Sequence, residues 1–204
     1  MATRQFDELN SLNRRSMDYE KYFGEMGIAE RDKKRRIRLA EDIEEVILYM
    51  MFQYEQYAEL ELLERRLVNM LVDEIAKYIP IDDYLEDYAK QSIDGIMETT
   101  DKEIEKPFTL SHDRAILISE NLANEALNYG DFKRAKDQGK KFKTWITMGD
   151  EKVRPTHEVL ESERIPIDDL FWVGNVQMRF PKDTLYSGGD LEEIAGCRCW
   201  IEYS

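Results

Sequence analysis

The sequence contains few of the residues that build disulfide frameworks or histidine-based sites. Its 204 residues include two cysteines, Cys197 and Cys199, and two histidines, His112 and His157. A spacing of one residue is unfavourable for a disulfide between the two cysteines, so a disulfide scaffold is excluded and a reducing compartment is expected. Any imidazole chemistry must fall to one of the two histidines.

Long apolar runs are also missing. The longest extends only from Val46 to Phe52, which is too short to span a bilayer, and the N-terminus lacks the apolar core of a signal peptide. The sequence has no glycine-rich phosphate loop, Gly-x-Ser-x-Gly, His-Glu-x-x-His or calcium-binding loop. We therefore expect no membrane segment and no cofactor, and predict a protein that is not an enzyme.

Acidic side chains are abundant, and they are unevenly distributed. The formal net charge is −14, and residues 41–106 hold −13 of it. Because an excess of carboxylates repels nucleic acid, strong DNA binding is not expected. One basic run interrupts the acidic pattern. It is either the solvated start of a helix or a contact surface for phosphates or an acidic protein, with Lys33, Lys34, Arg35, Arg36 and Arg38 as its candidate residues.

A long helical region is predicted between Ile28 and Ile79, where glycine and proline are absent and apolar residues recur every three or four positions. The short step from Tyr57 to Leu60 rotates the apolar face or marks a bend. We expect an extended helical arm or a hairpin rather than a compact bundle. Tyr54 and Tyr57 on its apolar face are candidates for docking against another subunit, with packing inside the chain as the alternative.

The pattern changes along the second half of the chain. Ser111 is expected to cap a helix that stops at Gly130, and a shorter helix is expected to end at Gly139. The alternation of residues 141–147 predicts a half-buried strand, and Gly174-Asn175 predicts a two-residue hairpin connection.

A terminal strand is expected at the C-terminus, because residues 197–203 alternate in the same way. The predicted fold is therefore α+β. An acidic helical region with one or two long helices, residues 1–106, is followed by a small α+β domain with a short antiparallel sheet, residues 107–204.

The densest group of chemically versatile side chains lies near the C-terminus and comprises Asp150, Arg154, His157, Cys197 and Cys199. His157 and the two thiols could supply three ligands of a tetrahedral zinc site, with Asp150 or water as the fourth. However, two cysteines spaced in this way on one strand hold their sulfur atoms about 7 Å apart, which is too far for one zinc ion unless the strand bends. The spacing therefore predicts no metal site.

Three other interpretations of this group remain open. A cysteine could act as a nucleophile, activated by His157 and oriented by Asp150. A nuclease or metal-dependent hydrolase could use His157 with Arg154 and a nearby carboxylate or thiol. In a purely structural role, Asp150 would cap a turn, Arg154 would pair with a carboxylate and His157 would satisfy buried backbone groups.

An ordered series of motifs over residues 107–204 resembles the phage Mu F-like minor head proteins. The series comprises Arg114-Ala115, Ile118-Ser119-Glu120-Asn121, Asn128-Tyr129-Gly130, Lys143-x-Trp145-Ile146-Thr147, Asp150 to His157, Phe171, Met178-Arg179-Phe180-Pro181, Glu192-Glu193-Ile194, Cys197-Arg198-Cys199 and Tyr203. The resemblance implies a minor capsid or head-morphogenesis protein of a tailed bacteriophage.

The same resemblance implies roles for particular residues and partners. The motif residues would hold the domain together: Trp145, Asp150, Arg154, His157, Pro181, Cys197, Arg198 and Cys199. The partners would be the portal protein and other head proteins, close to packaged DNA without binding it strongly, and in several copies per virion. The protein would lie in the capsid interior or at the portal vertex, and in the host cytoplasm during assembly. Its role would be in assembly, DNA retention or genome ejection.

Overall fold

The computed structural model describes residues 15–54, 56, 59–188 and 191–204. Five longer helices form the first part of the described chain: α1 (Arg15–Gly24), α2 (Glu30–Tyr54), α3 (Leu60–Ala76), α4 (Asp83–Glu103) and α5 (His112–Asp137). Five short strands and three short helices follow: β1 (Phe142–Ile146), α6 (Pro155–Glu158), β2 (Arg164–Pro166), β3 (Phe171–Val173), β4 (Val176–Met178), α7 (Thr184–Ser187), α8 (Leu191–Ile194) and β5 (Trp200–Tyr203). The predicted α+β class, with its helical N-terminal part, is confirmed.

The predicted bend lies between α2 and α3, and the two helices form an antiparallel hairpin. The guanidinium of Arg66 lies 4.9 Å from the ring centre of Tyr49. Further from the bend, the Tyr78 hydroxyl donates to Asp42 at 2.8 Å. Of the two predicted alternatives, an extended arm and a hairpin, the structure contains the hairpin.

One hydrophobic core extends from α1 to β5 and includes buried residues on both sides of residue 106. Helix α5 lies at its centre and makes its most extensive contact with α2. The apolar face of the hairpin is therefore covered within the chain. Tyr54 is 9% exposed, and its hydroxyl donates to Asp101 at 3.2 Å. Intramolecular packing, not docking, accounts for Tyr54, while Tyr57 lies outside the described residues.

The basic run in α2 does not form the single exposed surface that the contact-surface interpretation requires. Arg36 is 2% exposed and donates to Asn128 at 3.1 Å and to Asp131 at 3.2 Å. Arg35 donates to Asp131 and to the Tyr78 carbonyl oxygen, and Lys33 donates to a backbone carbonyl oxygen. Consecutive residues of a helix point in different directions, so only Lys34 and Arg38 of the five are exposed.

Helix α5 continues through Gly130, where the sequence predicted a stop. A Cβ atom at Gly130 would lie 3.1 Å from three atoms of Ile79. The glycine therefore permits close packing between the helix and the segment after α3, and it does not end the helix. The predicted Ser111 cap is present, since its hydroxyl accepts from the backbone N–H of Arg114 at 3.2 Å. The helix ends before Gly139, whose φ of 73° is left-handed.

Two small antiparallel sheets complete the fold of the described residues. One has the order β2-β1-β5, and the other is the hairpin β3-β4, in which Val173 pairs with Val176 across the predicted Gly174-Asn175 turn. The terminal strand begins at Trp200. The sequence predicted a strand that includes Cys197 and Cys199, but both cysteines precede it.

No helix of the described residues is both long and apolar enough to cross a membrane.

The first residue of α7 is attached to α5 by buried polar contacts. Glu125 is 3% exposed, and its carboxylate accepts from the Thr184 backbone N–H at 2.7 Å and from the Thr184 hydroxyl at 2.5 Å. Burial raises the pKa of Glu125 from 4.5 to about 8, and the two hydrogen bonds from Thr184 oppose this shift. At neutral pH the folded chain therefore keeps a proton that the unfolded chain has released.

Replacing Glu125 with glutamine is expected to remove one source of the pH dependence of the free energy of unfolding. From pH 4.5 to about 8, the raised pKa makes the wild type lose free energy of unfolding as the pH rises, because its native state binds the extra proton. Relative to the wild type, Glu125→Gln should gain at most about 1.4 kcal/mol per pH unit in this window. Urea unfolding at several pH values measures the difference. The exposed Glu151→Gln is the control, and parallel curves for Glu125→Gln and the wild type would contradict the assignment.

Candidate functional site

A second, smaller core lies in the C-terminal part and surrounds a histidine and two cysteines. Its buried members are Trp145, Leu160, Phe171, Val173, Met178, Ile194, Cys197 and Cys199. His157 enters this core from α6, a short helix that begins with Pro155 at its first position. The imidazole side chain is 2% exposed, and its ring meets the Trp145 ring edge-on at 5.6 Å between centroids.

Both ring nitrogens of His157 have polar neighbours. Nδ1 lies 3.4 Å from the Cys199 Sγ and 3.5 Å from the Cys197 Sγ. Nε2 lies 3.0 Å from Oε2 of Glu193. The imidazole therefore lies between two thiols on one side and a carboxylate on the other, and not against backbone groups as the structural interpretation expected. We name His157, Cys197 and Cys199 the His-Cys cluster.

The loop conformation before β5 brings the two sulfur atoms together. The backbone N–H of Cys197 donates to the Ile194 carbonyl oxygen at 3.2 Å, which closes a turn after α8, and Gly196 within it has a left-handed φ of 64°. The two sulfur atoms and the ligand nitrogen of His157 all lie within 4.8 Å of one another. The separation of about 7 Å expected for an extended strand therefore does not apply.

Glu193 is the site residue that sequence reasoning did not single out. Its Oε2 accepts from the Thr156 hydroxyl at 2.8 Å as well as contacting His157, so it sets the orientation of the ring. Asp150 had been expected in that role. Glu192-Glu193 was visible as part of a motif, but nothing in the local pattern indicates which of the two carboxylates turns towards His157.

Asp150, Arg154 and Arg198 lie around the cluster. Arg198 donates to Asp150 at 2.6 Å and to Glu25 at 2.8 Å, so it links the C-terminal part to the segment after α1. Asp150 also accepts from the backbone N–H of Lys152 in its own turn. Arg154 donates to the backbone carbonyl oxygen of Ala195, where a carboxylate partner had been expected.

Pro181, the remaining motif residue, lies apart from the cluster. Its carbonyl oxygen accepts from the Asn128 side chain at 2.8 Å, which attaches the segment after β4 to α5. The structure thus brings Trp145, His157, Cys197 and Cys199 into one core, places Asp150, Arg154 and Arg198 around it, and leaves Pro181 apart from it. All of them connect parts of the chain that are distant in sequence.

The two thiols have opposite acidities. The pKa of Cys197 is well below its usual value, because the Cys199 thiol donates a hydrogen bond to it and because His157 and the buried Lys182 favour the thiolate. The hydrogen bond to Cys197 and burial raise the pKa of Cys199. For His157, burial lowers the pKa, but Cys197 and Glu193 outweigh it and the net pKa is raised.

The space beside the cluster is small. A cavity of about 20 Å³ is lined by all three cluster residues and by neighbours that include Arg154. Two larger clefts, of about 460 and 350 Å³, are lined by none of the three, although the larger cleft shares Lys152, Gly196 and Arg198 with the small cavity. A cavity needs at least about 10–15 Å³ to hold one water molecule. The cavity at the cluster thus has room for about one water and not for a substrate.

Comparison with known proteins found no match among protein-family models, curated proteins or solved structures. The resemblance to the phage Mu F-like proteins therefore stays a prediction from the motif series.

The packing of Trp145 predicts a large loss of stability when its ring is removed. Trp145 is fully buried, whereas Trp172 on β3, in the other sheet, is 64% exposed. Trp145→Ala should reduce the free energy of unfolding by about 3–5 kcal/mol, and Trp172→Ala by no more than about 0.5 kcal/mol. Denaturant unfolding followed by circular dichroism measures both. Equal effects of the two substitutions would show that Trp145 does not organise the second core.

Proposed function

We propose that this chain is a minor head protein of a tailed bacteriophage, associated with the portal and the head interior, with a role in assembly, DNA retention or genome ejection. One observation carries the proposal. Trp145, His157, Cys197 and Cys199, which belong to the motifs that resemble the phage Mu F-like proteins, share one core. Asp150 and Arg154 bind the loop that carries the cysteines. Arg198 and Pro181 contact the helical part. This is the arrangement expected of residues whose role is to hold a domain together.

The surface charge supports docking against a basic partner. Helix α4 exposes several carboxylates to solvent: Glu86, Asp87, Glu98 and Asp101. A surface of this sign attracts a basic protein face and repels DNA phosphates. The acidic helices are therefore proposed as the side that faces portal or head proteins. The protein would lie near packaged DNA without holding it, in several copies per virion, after assembly in the host cytoplasm.

The alternative, a nuclease or metal-dependent hydrolase centred on His157, has less support. The imidazole is 2% exposed, and the cavity beside it has a volume of about 20 Å³. A nucleic acid backbone cannot reach the ring in this conformation, because a general base must lie within hydrogen-bond reach of its substrate.

Fractionation of infected or induced cells tests the proposed function. We expect mass spectrometry to find the chain in purified heads and virions, in a constant ratio to the portal protein, and not only in the soluble lysate. A chain found in the lysate but missing from both heads and virions would contradict the proposal. Hydrolysis of DNA or RNA by the purified protein, lost in a folded His157→Ala variant, would favour the enzyme alternative instead.

Two triple variants that remove the same number of charges test the proposed docking surface. The triple variant Glu86→Gln, Asp87→Asn and Glu98→Gln should incorporate into heads several-fold less than the wild type, because it removes three exposed charges from α4. The control removes three exposed charges from the C-terminal part, through Glu151→Gln, Glu158→Gln and Glu163→Gln. Equal incorporation of both variants would place the docking surface elsewhere.

A further inference from the structure

The geometry of the His-Cys cluster matches a tetrahedral metal site. With Zn–S bonds of about 2.3 Å and Zn–N bonds of about 2.05 Å, the nitrogen and sulfur ligands of a tetrahedral zinc ion lie about 3.6 Å apart. The distances from Nδ1 of His157 to the two sulfur atoms are 3.4 and 3.5 Å. The nitrogen from α6 and the two sulfur atoms from the loop before β5 therefore already lie at the nitrogen–sulfur spacing of such a site, and all three atoms lie within 4.8 Å of one another.

The contact with Glu193 gives His157 the orientation that a metal ligand needs. Metal-binding histidines usually donate their second ring N–H to a carboxylate or carbonyl oxygen, which sets the tautomer and directs the other nitrogen at the metal. Here Nε2 lies 3.0 Å from the Glu193 carboxylate. With the proton on Nε2, the lone pair of Nδ1 faces the two sulfur atoms. Glu193 is in turn held by the Thr156 hydroxyl.

The fourth corner has room for one small ligand. The cavity that the three residues line has a volume of about 20 Å³, close to the space that one water molecule needs. A nucleophilic cysteine would need space for its substrate beside the thiol, and the cavity does not provide it. A small closed site with two thiols and one imidazole instead has the ligand chemistry that zinc prefers.

We propose that His157, Cys197 and Cys199 bind one zinc ion, through Nδ1 and the two Sγ atoms, with a water molecule as the fourth ligand. The ion would join α6 to the loop before β5 and so stabilise the second core. Both thiols bind as thiolates, so zinc binding releases thiol protons to solvent. This inference is independent of the proposed function, since it concerns only the ligands and not the partners.

Elemental analysis of the full chain tests the proposal. Protein purified under reducing conditions without chelator should contain about one zinc per chain, and both Cys197→Ser and Cys199→Ser should lose this stoichiometric zinc. Cobalt added to the metal-free wild type should give the charge-transfer absorption typical of cobalt-thiolate bonds, and the serine variants should not. Far-ultraviolet circular dichroism of each variant shows whether it is folded.

A second pair of variants compares the carboxylate that contacts His157 with the carboxylate next to it in sequence. Glu193→Gln should weaken zinc affinity by about 10–100-fold, because it loosens the orientation of His157. The exposed Glu192→Gln, next to it on α8, should leave the affinity unchanged.

Three results would overturn the proposal. The first is a wild-type chain that binds neither zinc nor cobalt while both thiols are reduced. The second is zinc bound equally well by the wild type and by the serine variants, which would mark it as adventitious. The third is a disulfide between Cys197 and Cys199 in protein purified without oxidant, detected as a mass loss of two hydrogens.

Discussion

The packing of α5 against its neighbours is the constraint on which the rest of the structure depends. This helix is buried on most of its faces, with the α2–α3 hairpin on one side and the C-terminal segments on another. Two of its side chains, Asn128 and Asp131, accept hydrogen bonds from the guanidinium of Arg36 on α2. Burying a guanidinium costs free energy unless it is hydrogen-bonded. These two contacts therefore favour the observed packing of α2 against α5. The helical half and the C-terminal half are therefore coupled through one element.

The C-terminal part adds a second organising group around His157. The two cysteines, Glu193 and Trp145 contact the imidazole from different elements. Ion pairs of Arg198 then attach the loop that carries the cysteines to the segment after α1. The residues that resemble a head-protein family thus have a common physical role, in that they join parts of the chain distant in sequence. That role is compatible with a structural protein. It is also compatible with the proposed zinc ion, which would join α6 to the loop before β5.

Much of the fold could be predicted because helices and hairpins are encoded locally. The three-to-four spacing of apolar residues indicated the long helices, the short step near Tyr57 indicated the bend, and Gly174-Asn175 indicated the hairpin. Predictions failed where a distant contact decided the outcome. Gly130 is a good helix stop in isolation, but the approach of Ile79 makes it a packing position. Arg36 belongs to a basic run, but its neighbours on α5 bury it.

The sequence by itself determined the α+β class, the long helical hairpin region, the β3–β4 turn and the residues available for a site, since these depend on local periodicity and composition. It placed one histidine and two cysteines near the C-terminus without saying how far apart they lie. Only the tertiary structure decided that the loop before β5 turns out of the strand and that Glu193, not Asp150, contacts His157. Such distances depend on backbone turns and long-range packing, which no local pattern of residues records.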